Sequence, residues 1–307
     1  MNIIWVAEDI KKDHSFIQTK AEVLCTLSCL LFVKKYFPND KTIFFVDDFT
    51  KKYYEQFGFL HLFDEVNSEL LNQIDESIDR KLFWAAGKIF AQRHTQSPTL
   101  TFDLDFRIFS NLPKLGVFDE DIACLWLEKI GNDFYHEPSD ALRFAELDWK
   151  HEWDNYALNV SMLYLKNDNF KNLYCDKAIE YMKSCSYKIP PIENKTERNK
   201  FILFVEQYML HQLAKENNQK VKLLIDDFYP IPNSNRLIKS SGIDMKNCEF
   251  HFYHYGNYKF NMMKKDHLFY KEVEFSHSLV NSQIEDKTQI DIFNKIYNKS
   301  EYEGCFC

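Results

Sequence analysis

Apolar and polar positions alternate in blocks along the first hundred residues. The run Asn2-Ile-Ile-Trp-Val-Ala7 predicts a short strand over Ile3–Ala7. From Ser15 to Tyr36 the apolar residues recur at helical spacing, with Phe16, Val23, Leu27, Leu30, Leu31 and Val33 as candidate buried positions. Pro38-Asn39-Asp40 ends that helix. A second strand is predicted over Thr42–Val46, running into Asp47-Asp48, then a short helix over Lys51–Phe57 closed by Gly58. Phe59–Val66 reads as an extended piece, Ser77–Gln92 as a helix and Thr99–Phe102 as a strand. Strand–helix alternation of this kind predicts an α/β fold with a mainly parallel central sheet flanked by helices. Ligands of such sheets gather at the carboxyl ends of the strands.

The second half is more mixed. Ile122–Leu127 and Ala157–Leu165 read as strands, Asn172–Ser184 and Lys200–Lys215 as helices, and Val221–Ile225 as a strand running into Asp226-Asp227. Glu249–Tyr255 is a late aromatic strand. Beyond Asp266 the pattern dissolves, leaving Ile290–Tyr297 as the one helix candidate. These patterns predict a single domain over 1–265 and a polar extension over 266–307.

Composition narrows the classes. With 307 residues, 45% of them hydrophobic and 27% charged, the chain reads as soluble and globular. Only 7 glycines are present, and neither G-x-G-x-x-G nor a Walker string occurs, which argues against dehydrogenases and P-loop kinases. Any bound phosphate must then be held by metal and basic side chains. A net charge of -8 with no basic stretch argues against broad nucleic-acid binding. The 8 cysteines form no C-x-x-C pair, so a zinc ribbon is not expected and reduced thiols in a cytoplasmic protein are. The N-terminus lacks a signal peptide's basic start and long apolar core. The longest apolar candidate, Val23–Val33, falls short of the roughly 20 residues that span a bilayer.

Candidate chemistry begins with Asp103 and Asp105, two carboxylates ending an apolar strand. Strand alternation would put both on one side, where they suit a hard divalent cation with open positions for phosphate oxygens. Lys88 is either a cleft cation for phosphate or a solvated helix lysine. Asn159-Val160-Ser161 places polar groups inside an apolar stretch, where sugar hydroxyls or an internal partner must satisfy them. Glu206-Gln207 interrupts a strongly apolar helix and reads either as a cleft pair on its exposed turn or as a structural hydrogen bond. In His254-Tyr-Gly-Asn-Tyr-Lys259 the imidazole can join carboxylates around Mn²⁺, Gly256 permits close backbone approach and Lys259 can neutralise phosphate. His251 competes for the metal role.

Taken in order, Asp-x-Asp, Asn-x-Ser, Glu-Gln and His-x-Gly-x-x-Lys resemble the motifs of GT-A fold glycosyltransferases. The likeness is greatest to the retaining group that includes glycogenin and bacterial lipopolysaccharide galactosyltransferases. The resemblance spans roughly residues 1–265. It implies Asp103, Asp105 and His254 as ligands of Mn²⁺ or Mg²⁺ and Lys259 at the diphosphate, where Lys88 and Gly256, read from the residues themselves, would join it. It further implies Asn159 as a sugar contact, Gln207 near the anomeric carbon and Glu206 beside it. The implied donor is a nucleoside diphosphate sugar, UDP-linked, and the acceptor a glycan, lipid or protein. Ser161 stands where the group has Gly, Glu206 where it has Asp, and the His-to-Gly gap is one residue shorter. Two other readings remain. One is a metal-dependent hydrolase or phosphoesterase fed by Asp47-Asp48 and Asp226-Asp227; the other is a binding protein of this fold without turnover.

Overall fold

In the computed structural model, which describes residues 1–10, 18, 20–108, 111–131, 136–144, 153–186, 188–189, 192, 195–224, 252–254 and 266–298, the first apolar runs form parallel strands. β1 (Asn2–Ala7) pairs with β2 (Lys41–Val46), and β2 with β3 (Glu65–Asn67). Between them lie α1 (Lys20–Tyr36) and α2 (Asp48–Glu55). The Asp47 carboxylate accepts the Thr50 amide at 2.7 Å and caps α2 in a capping box. Gly58, with φ of 72°, lets the chain turn out of that helix.

α3 (Ala86–His94) starts nine residues later than the apolar spacing suggests. The reason is local. Asp75 accepts the Ser77 amide and Asp79 the Lys81 amide, each at 2.9 Å, and these side-chain bonds hold the chain in turns. Phe59–Val66 likewise contains a 3₁₀ turn over Leu60–Leu62 before β3.

β4 (Thr99–Phe102) pairs with β1 on the side away from β2. β5 (Phe106–Ile108) follows, then β6 (Ile122–Cys124), β7 (Leu127–Lys129) and the short α4 (Pro138–Leu142). The expected strand over Ala157–Leu165 is two strands, β8 (Tyr156–Leu158) and β9 (Met162–Leu165), with Asn159-Val160-Ser161 at the break. The expected Ile122–Leu127 strand divides in the same way, because β6 joins the main sheet while β7 pairs with β8. α5 (Asp168–Ser186) and α6 (Lys195–Leu203) come next. A π-helical segment over Phe204–Tyr208 leads into α7 (Met209–Glu216), and then β10 (Val221–Leu223).

Among the described residues the central sheet has 7 strands, in the order β10-β6-β9-β4-β1-β2-β3. Only β9 runs against the rest, so the fold is α/β with a mainly parallel sheet flanked by helices. β11 (Phe252–His254) pairs antiparallel with β5. Alternation along β1 sends Ile4 to a core shared with α3, α5 and α7, and Ile3 and Trp5 to a second core around α1.

Residues 266–298 do not dissolve into polar chain. They form α8 (Asp266–Gln283) and α9 (Lys287–Asn298), which with the link between them bury Val273, Val280, Ile284, Phe293 and Ile296 in the second core. Asp286 begins α9 by accepting the Thr288 amide at 2.9 Å.

Candidate active site

The carboxyl ends of the parallel strands deliver Glu8 and Asp9 after β1, Asp47 after β2 and Asp103 after β4. Because β9 is antiparallel, its start lies at this same edge: Met162 pairs with Phe102. Asn159–Ser161 therefore sits beside the Asp-x-Asp segment. The strand ends at Phe102, so alternation does not orient Asp103 and Asp105. They stand instead in a tight turn closed by the Phe106 amide donating to the Asp103 carbonyl at 3.0 Å. The Asp103 amide in turn donates to the Ser161 carbonyl at 2.9 Å, which ties this turn to the break before β9.

Lys88 joins the parts. Its ammonium donates to Asp103 Oδ1 at 2.6 Å and also pairs with Glu206. It is not a solvated helix lysine: its side chain is only 12% exposed. Burial alone would lower its pKa, but the charges and hydrogen bonds of Asp103 and Glu206 outweigh burial and raise it, keeping the group charged. Two carboxylates far apart in sequence thus meet at one cation.

Asn159 is held from both ends. Its Nδ2 donates to Glu128 Oε1 at 3.1 Å and its Oδ1 accepts the Ser161 amide at 3.2 Å. Glu128 is buried on β7 and also accepts the Trp126 indole N–H at 2.6 Å. Sequence reading missed Glu128 and Trp126. The available signal was a Trp-x-Glu alternation just after β6, a carboxylate inside an otherwise apolar segment.

Glu206 and Gln207 are buried rather than on an exposed turn. Both lie in the π-helical segment, whose wider turn disrupts the regular helical bonding. The Tyr174 hydroxyl on α5 donates to the Glu206 carbonyl at 3.1 Å and satisfies one displaced acceptor.

β11 places His254 opposite Phe106 in the β5 register, one residue beyond Asp105. The His254 imidazole, together with Gly256, Lys259 and the competitor His251, lies outside the described residues. So does Asp226-Asp227. Asp47 is committed to the α2 cap, and so is removed from the carboxylates a hydrolase site would need.

Among the described residues no three His, Cys, Asp or Glu side chains form a metal cluster. What they offer a divalent ion is the carboxylate turn, with the His254 strand paired alongside it. The Lys88 ammonium faces the carboxylates of Asp103 and Glu206, and carboxylate oxygens are the ligand type a hard cation takes. The described cysteines Cys25, Cys29, Cys124, Cys175 and Cys185 are buried and unpaired in disulfides. Among the described residues, no helix is long and apolar enough to cross a membrane.

A protein-family model matches residues 5–287, a span that takes in the carboxylate turn, Lys88, the Asn159 break and the π-helical segment. The chain belongs to the DUF6734 family. That family is described as one of unknown function. No curated protein matches the chain. Among solved structures, the chain is similar to the galactosyltransferase LgtC in complex with donor and acceptor sugar analogs. Identity there is 13% and the TM-score 0.35, over 67% of this chain and 70% of that one. It is also similar to mouse xyloside xylosyltransferase 1 in its apo form, with 11% identity and a TM-score of 0.40 over 75% and 85% of the two chains. A third likeness is to an inositol-1-phosphate CTP transferase from T. maritima, with 12% identity and a TM-score of 0.35 over 80% and 96%.

Proposed function

We propose that this protein is a glycosyltransferase that moves a sugar from a nucleoside diphosphate donor, UDP-linked, to a glycan, lipid or protein acceptor. The observation that carries the reading is the Lys88 ammonium shared between Asp103 and Glu206 at the carboxyl edge of the sheet. It joins the candidate diphosphate end of the cleft to the candidate sugar end.

Asp103, Asp105 and His254 would hold Mn²⁺ or Mg²⁺, with Lys259 near the phosphates and Gly256 allowing close approach. When bound, that ion supplies Lewis-acid neutralisation of the charge on the departing diphosphate. Lys88 adds fixed positive charge beside the same group. Asn159, clamped by Glu128 and Ser161, presents its carboxamide to sugar hydroxyls without reorganising. Gln207 lies near the anomeric carbon and Glu206 orients it through the Lys88 pair. A retaining outcome needs no strong protein base, because a diphosphate oxygen can take the acceptor proton.

The test is a thermal-shift screen of nucleotide sugars with and without Mn²⁺, since a ligand that binds only the folded state raises stability by mass action. A Mn²⁺-dependent rise with one UDP-sugar is expected, and Asp105→Asn should abolish it while leaving the unliganded melting temperature unchanged. A panel of donors with no shift, or a folded Asp105→Asn with wild-type Mn²⁺ dependence, counts against the reading.

A further inference from the structure

The Asp103–Asp105 turn is braced from behind by groups outside the cleft. The carbonyl of Leu104, between the two aspartates, accepts a hydrogen bond from the Thr26 hydroxyl at 3.2 Å. Thr26 is fully buried on α1, in a stretch otherwise made of Val23, Leu24, Cys25, Leu27 and their like. Valine would match its shape there and lack its polar atom. The neighbouring buried hydroxyl, Ser28, bonds locally to the Cys25 carbonyl at 2.9 Å. Thr26 also reaches its local acceptor, the Glu22 carbonyl, at 3.3 Å, but its longer-range bond goes to the carboxylate turn.

A second brace arrives from the far end of the chain. Arg107, two residues beyond Asp105, is 2% exposed on β5. Its guanidinium donates to the Ser276 hydroxyl, which interrupts the buried stripe of α8 between Val273 and Val280. A buried guanidinium is costly unless it is well bonded. Two polar interruptions, one in apolar α1 and one in the buried stripe of α8, therefore converge on the short stretch from Leu104 to Arg107. That stretch carries Asp105 and pairs with the His254 strand.

We propose that Thr26 and the Arg107–Ser276 bond are positioning groups. They set the height and tilt of the Asp103–Asp105 turn for a divalent cation and diphosphate, a role that rests on the functional reading above. On this account α8 is a working part of the site as well as a cover for the core. Groups that orient metal ligands from behind typically alter affinity by about 10–100-fold when removed.

The experiment uses the full chain and the variants Thr26→Val, Thr26→Ser and Ser276→Ala. Mn²⁺ affinity is measured directly by calorimetric titration without donor, and amide hydrogen exchange is followed over 102–108. Thr26→Val and Ser276→Ala should each weaken Mn²⁺ binding about tenfold or more and speed exchange at the Phe106 amide. Thr26→Ser, which keeps the hydroxyl, should restore both. Wild-type protein without measurable Mn²⁺ affinity overturns the functional reading itself. Wild-type protein that binds Mn²⁺, with folded Thr26→Val and Ser276→Ala binding it equally well, overturns the positioning role alone.

Discussion

Lys88 occupies the first turn of α3, where the helix dipole disfavours a cation and no acidic residue of the helix offsets it. Asp103 and Glu206 compensate from outside the helix. Gly87 beside it packs against Glu8: an added Cβ would stand 2.9 Å from the Glu8 carboxyl carbon, so that side chain would have to shift. Each of these residues is explained by what surrounds the helix, not by helix preference. His211, on α7 four residues beyond Gln207, is a second case. Its Nε2 lies 3.2 Å from Asp154 Oδ2, and Lys215 reaches the same oxygen at 2.8 Å. Burial lowers the imidazole pKa below its ordinary 6.5, and the opposing pull of Asp154 is smaller. A histidine with a depressed folded pKa contributes stability that is fully present above the unfolded value and is lost as pH falls through the folded one. Unfolding free energy should therefore decline as pH drops below about 6.5, by no more than about 1.4 kcal/mol per pH unit from this group. Urea titrations between pH 7.5 and 5 should show that decline flattened in His211→Gln. An unchanged slope in the variant would assign the decline to other groups.

At the scale of elements, the π-helical segment between α6 and α7 decides what Glu206 and Gln207 can do. A regular helix would continue one apolar stripe through Phe201, Phe204 and Tyr208. The wider turn shifts the register, so that Glu206 is buried against Lys88 while Phe204 and Tyr208 remain in the core. If Gln207 acts on the transition state alone, Gln207→Ala should lower kcat and kcat/KM together by about 10²-fold, the scale seen on losing one electrostatic stabiliser. Donor Kd should barely change. Single-turnover kinetics beside a donor titration checks this; wild-type turnover would make the pair a structural feature of the segment.

For the whole molecule, α8 and α9 close the core on the far side of α1. That helix is buried along nearly its whole length because the sheet covers one side and α8 with α9 the other. The buried residues Val273, Val280, Ile284, Phe293 and Ile296 are each worth about 1.5–3 kcal/mol in transfer terms. Together they rival the roughly 5–15 kcal/mol net stability of a typical domain. A chain ending at residue 265 should accordingly lose cooperative unfolding and bind a hydrophobic dye at neutral pH. A truncated chain with a sharp urea transition and an m-value near that of the full length would show the helix pair to be dispensable.

The apolar runs of β1, β2 and β4, with the helical spacing of α1 and α5, were legible because burial on both faces of a parallel sheet forces long stretches of one character. Asp103, Asp105, Lys88, Asn159 and the Glu206-Gln207 pair were legible as polar residues that break such stretches, since an unsatisfied polar group is costly in a core. The same logic did not reach α8 and α9 as the cover that α1, a helix apolar on every side, requires. Their own stripes were obscured by Ser276 and by the charged residues between the buried positions. Tertiary structure alone decided the rest. The pairing of β7 with β8 split two apolar runs, and Glu128 acquired its role by reaching Asn159. That Lys88, Asp103 and Glu206 would share one ion-pair cluster was not written in any local pattern. Ion pairing depends on distance in space, and here that distance is set by β9 running against its neighbours and by one widened turn of helix.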